Sequence, residues 1–107
     1  MTQALNKLSW HDGNLLGISF AIDAKGKSAV SLSALLYKDD QAPERDSYQI
    51  KCEGVSKFTC TLDAAEFKSN MSAGNIANAY LKENTLWVYF TDGLLEIHAK
   101  KFRLSKG

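Results

Sequence analysis

A mainly β fold is predicted: a small antiparallel β-sandwich or strongly curved sheet, with one short α-helix at about residues 63–70. Three observations predict it. Apolar residues alternate with polar or small ones at a period of two along nearly the whole chain. Clusters of turn formers, above all Asp92-Gly93, separate the alternating runs. Helix-start signals occur at one place only, the stretch that opens at Asp63. A chain of 107 residues forms a single domain, residues 1–107, long enough to bury a core without metal or disulfide staples.

Leu16, Ile18, Phe20 and Ile22 alternate with Gly17, Ser19 and Ala21, as on a half-buried strand. Asp23 to Lys27 reads as a turn, and Val30, Leu32, Ala34 and Leu36 resume the alternation, giving a hairpin. Lys38 to Asp46 is polar, holds the only proline and reads as a mobile loop. Tyr48, Ile50 and Cys52 form a third strand. Phe58, Cys60 and Leu62 continue it in a shifted phase, so Gly54 between them marks a bulge or tight turn. Asp63 caps the short helix, Glu66 sits at the capping-box position and Phe67 is placed to pack inward.

The remainder reads as a meander of three strands, Ile76 to Lys82, Thr85 to Thr91 and Leu94 to Leu104. A two-residue Asp92-Gly93 turn would pair Phe90 with Leu95, Val88 with Ile97 and Leu86 with Ala99, an apolar face for the core. A loop at Glu83-Asn84 would pair Leu81 with Leu86, Ala79 with Val88 and Ala77 with Phe90. The reverse face then carries two rows, Tyr80–Trp87–His98 and Asn78–Tyr89–Glu96. Rings with a histidine and a carboxylate need a reason on a solvent face. Either the helix or a second sheet covers them, or cross-strand ring pairs stabilise the sheet, or the face is a contact surface.

Composition narrows the function. Thirteen basic residues against 12 acidic ones provide no broad electrostatic footprint for nucleic acid or an anionic membrane. Lys100, Lys101, Arg103 and Lys106 cluster, yet alternation splits them between two faces. The opening residues lack the apolar run of a signal peptide and no stretch reaches transmembrane length, so a cytoplasmic location is expected. In that compartment Cys52 and Cys60 are expected to be free thiols buried as small hydrophobes. No metal-ligand spacing, nucleotide fingerprint or nucleophile elbow occurs, so no cofactor, metal or catalytic residue is assigned.

Trp10-His11-Asp12 is the one stretch that resembles a catalytic cluster. Neighbouring strand residues point to opposite faces, so His11 and Asp12 are poorly placed to chelate one ion. The structural reading is preferred: Asp12-Gly13-Asn14 as a turn, Asp12 bonding local N–H groups, Trp10 against the sheet and His11 donating to a carbonyl or half-exposed. Trp-His-Asp before an apolar strand, Gly54-Val55 after a mid-chain strand and "DGLLEIHAK" near the end together resemble small bacterial immunity-type proteins of mobile cassettes. That resemblance, over about the first 20 and last 30 residues, implies a compact β-sandwich that binds a partner protein and has no activity of its own. Two functional readings follow. One is a cytoplasmic, non-catalytic protein-binding module using Tyr80, Trp87, Tyr89, Glu96 and His98, with self-association into a homodimer as a variant. The other is a small-molecule-binding or hydrolytic barrel-like protein with a cavity near Tyr89, Glu96 and His98.

Overall fold

The computed structural model describes residues 2–107. Two antiparallel sheets of four strands each form a β-sandwich. After a helix α1 (Thr2–Lys7), the first sheet takes β1 (Ser9–Ile22), β2 (Ser28–Tyr37) and β3 (Asp46–Glu53). The chain then crosses to the second sheet for β4 (Lys57–Leu62), α2 (Ala64–Ser69), β5 (Ile76–Lys82), β6 (Thr85–Phe90) and β7 (Gly93–His98). It returns to the first for β8 (Lys101–Lys106). Strand order is β1-β2-β3-β8 in one layer and β4-β7-β6-β5 in the other.

The alternation places the core between the layers. Val30, Leu32, Ile50 and Cys52 from the first sheet meet Leu86, Val88, Leu95 and Ile97 from the second, all without measurable exposure. The phase change at Gly54 is the point where the chain leaves one layer for the other, and Gly54 turns there with φ +66°. The predicted long final strand breaks for the same reason. Ala99 and Lys100 form the crossover, Lys100 N–H donating to the Glu53 carbonyl, so residues 94–104 belong to two strands in two layers.

α2 forms where expected. The Asp63 side chain accepts from the N–H groups of Ala65 and Glu66, and Phe67 meets the Phe90 ring edge-on at 5.2 Å. The second helix, α1, was not foreseen. Its Leu5 is buried, and the Asn6 amide both donates to and accepts from the Leu81 backbone, standing in for a neighbouring strand at the β5 edge.

The β1 pattern departs from expectation. Leu15 turns inward opposite Ala34, and an irregularity before Gly17 leaves Leu16 between two registers. Leu16, Phe20 and Ile22 are half-exposed or more because β1 is an edge strand longer than the sheet facing it. Phe20 stacks on Phe58 of β4, the edge strand across the mouth of the sandwich. Cys60 lies on the same open edge and is exposed, contrary to the burial expected of it. Cys52 is buried, and that burial pushes its thiol pKa up to about 12.

Candidate functional site: the outer face of the second sheet

The β5–β6 register follows the sequence reading from Leu81–Leu86 through Asn78–Tyr89, then slips. Ile76, not Ala77, sits opposite Phe90, so Ala77 bulges. The β6–β7 register lies two residues from the expected one: Phe90 pairs with Gly93, Val88 with Leu95 and Leu86 with Ile97. Gly93 is a strand residue rather than half of the turn. A methyl group there would lie 2.1 Å from the Thr61 carbonyl oxygen, so β4 approaches as closely as it does only because residue 93 has no side chain.

A shift of two keeps every side chain on its face. Val88 and Ile97 remain buried, and the outer rows change partners only. Trp87 stands beside Glu96 rather than His98, Tyr89 beside Leu94 rather than Glu96, and His98 beside Thr85. With β4 and β5 added, three cross-sheet rows run Lys57–His98–Thr85–Lys82, Thr59–Glu96–Trp87–Tyr80 and Thr61–Leu94–Tyr89–Asn78.

Among the described residues, neither a helix nor the other sheet covers this face. Trp87, Tyr89, Glu96 and His98 are partly exposed, and Tyr80 is 43% exposed. Covering by α2 or by the first sheet is thus the wrong explanation for the rings. The rings do pack on one another: Tyr80 lies 5.3 Å from Trp87 and 5.8 Å from Tyr89 between centroids, and the two tyrosine hydroxyls share a 3.1 Å hydrogen bond.

Beside the rings runs a polar line. His98 Nε2 donates to the Glu96 carboxylate, and His98 Nδ1 shares a 3.3 Å hydrogen bond with the Thr85 hydroxyl. In the neutral ring this fixes the tautomer with the proton on Nε2. The hydrogen bond from His98 holds the Glu96 carboxyl below the usual carboxylate range, with Lys57 and the Trp87 N–H acting in the same direction. A carboxylate whose folded pKa is depressed contributes stability above its unfolded pKa and loses it as pH falls through the folded one. Carboxyl ¹³C NMR is therefore expected to place the Glu96 midpoint below the usual glutamate range. His98→Ala should move it back up. A Glu96 midpoint that His98→Ala leaves unmoved contradicts the pairing.

The arrangement is a shelf. Cavities of about 640, 410 and 210 Å³ lie respectively at the turn end of the first sheet, beside the 38–43 loop and under α2, none of them lined by the five face residues. Trp10, His11 and Asp12 are each held by backbone hydrogen bonds. Trp10 is buried and donates to the Leu5 carbonyl; His11 Nδ1 donates to the bulged Ala77 carbonyl at 2.8 Å. Asp12-Gly13-Asn14 is not a turn but an irregular interior of β1, where Asp12 takes φ +65° and its carbonyl accepts from Arg45 Nε. Among the described residues, no group of three His, Cys, Asp or Glu side chains is placed to hold a metal ion.

No family model, curated protein or solved structure matches this chain. The geometry of the face therefore carries the functional reading.

Proposed function

We propose that this is a small protein-binding module whose partner docks on the outer face of the second sheet, with Trp87, Tyr89 and Tyr80 as anchors and Glu96 and His98 as the polar rim. One observation carries it: three packed rings stand on a sheet face that no other element covers among the described residues. Trp and Tyr supply large amphipathic area and dominate the energetics of interfaces. The Glu96–His98 pair adds directional donors and acceptors at the border, where they set register more than affinity. The ligand-cavity reading is the weaker one, because none of the three cavities is lined by Tyr89, Glu96 or His98. In the immunity-type version, the partner is a toxin encoded beside the protein.

The test is a Trp87→Ala, Tyr89→Ala double variant in partner capture, using products of adjacent reading frames as candidates. These side chains lie outside the core, so the fold should survive. Capture should weaken at least about thirtyfold, since aromatic anchors commonly contribute about 2 kcal/mol or more. Sedimentation at several concentrations separates self-association from capture of a different chain. A folded double variant that keeps both its partner and its oligomeric state removes the proposal.

A further inference from the structure

A second candidate site lies in a different part of the molecule, outside the face just described. We propose that the cleft at the turn end of the first sheet binds a small phosphorylated ligand carrying two or more negative charges. The cleft has a volume of about 640 Å³, within the usual range of roughly 300–1,000 Å³ for small-molecule sites. Three turns meet there, those joining β1 to β2, β3 to β4 and β7 to β8; with the end of β3 they bring Lys27, Lys51 and Lys100 to one opening.

The charge balance favours an anion. Two carboxylates also line the cleft, and both are engaged. Asp23 Oδ1 accepts the backbone N–H groups of Lys25 and Lys27, and Glu53 accepts from Arg103 Nε. None of the four ion pairs among the described residues uses Lys27, Lys51 or Lys100. Lys101 and Arg103 flank the cleft on the same outer face, paired with Glu53 and Lys51 across the β3–β8 ladder. Five cations thus face two carboxylates in a chain whose net charge is only +1. Folding assembles this corner from residues between 27 and 103, a concentration of charge that the balanced composition conceals.

The lysines stand on a stiff frame. Gly54 N–H donates to the Ser28 carbonyl, the Ser28 hydroxyl donates to the Val55 carbonyl, and Lys100 N–H donates to the Glu53 carbonyl. The Lys100 stem rests against Gly54, where an added side-chain carbon would lie 3.1 Å from three of its carbons. Holding the stem lowers the entropy lost when the ammonium group pairs with a ligand. Ala21, Ala29 and Val55 supply apolar wall, which suits a phosphorylated ligand with an uncharged body better than a bare ion.

The experiment is an ¹⁵N NMR titration of the full chain with inorganic pyrophosphate, ADP and, as the uncharged control, adenosine. Pyrophosphate and ADP should give saturable shifts confined to residues 21–29, 51–56 and 100. A Lys51→Gln, Lys100→Gln double variant with an unchanged melting temperature should bind each at least about tenfold more weakly. A Lys38→Gln, Lys68→Gln variant, which removes the same charge elsewhere, should bind as the wild type does. No saturation by about 10 mM of either anion overturns the proposal. So does equal weakening in the two variants, or binding of a short DNA duplex without binding of pyrophosphate.

Discussion

Replacing Asn75 with alanine is expected to lower the melting temperature by more than about 10 °C, the change that some 3 kcal/mol produces in a domain of this size. Asn75 is fully buried, yet every polar atom of its side chain is used. Its Oδ1 accepts from Leu15 N–H at 2.9 Å, and its Nδ2 donates to the Leu15 carbonyl and to the Met71 sulfur. Asn14 returns the arrangement: its Oδ1 accepts from Asn75 N–H and its Nδ2 donates to the Met71 carbonyl. The two amides tie the irregular centre of β1 to the entry of β5, where no regular ladder exists. Alanine at 75 would strand both backbone groups of Leu15 in the core, at roughly 1–3 kcal/mol for each unsatisfied group. Because the amides act as one unit, Asn14→Ala combined with Asn75→Ala should cost clearly less than the sum of the single changes. Additive effects would show that the two bonds are independent and that the knot is not a unit.

Gly74→Ala is expected to prevent recovery of folded protein, or to cost about 3 kcal/mol or more where folded protein is obtained. Gly74 takes φ +106°, a region L-residues rarely enter. A methyl group there would also lie 2.2 Å from the Asp12 carbonyl oxygen and 2.6 Å from Asp12 Cα. Backbone cannot step aside as a flexible side chain does, and Asp12 is already held by Arg45 at a positive φ. Gly26→Ala is the matched control. It also sits at positive φ, but has open space around it, so it should lose only about 1 kcal/mol. Similar denaturation midpoints for the two variants would show that the close approach to Asp12 contributes nothing.

These two positions also show what a sequence displays and what it hides. The faces of β5, β6 and β7 were legible because a period of two is local, and because an error of two in the β6–β7 register leaves each side chain on its side of the sheet. The register itself was not legible. Asp-Gly signals a turn, but the close approach of the Thr61 carbonyl commits Gly93 to the strand, and that contact joins residues far apart in sequence. The knot between Asn14 and Asn75, the Asn6–Leu81 pair that docks α1 and the lysine corner are non-local in the same way. Alternation also reports which side a residue faces, not what covers that side. Leu16, Phe20 and Ile22 carry a core pattern and stand half-open because β1 outruns its cover. The same limit hid the uncovered state of Trp87 and Tyr89, the feature on which the functional reading rests.

Soluble gadolinium chelate, followed through the two indole N–H signals and the His98 ring protons, probes that feature most directly. Trp10 is sealed in the core and donates to the Leu5 carbonyl, so its resonance should persist. Trp87 and His98 should broaden sharply at the same chelate concentration, as groups on an open sheet face must. If Trp87 proves as protected as Trp10 in dilute monomeric protein, the rings belong to the interior and the proposed docking face does not exist.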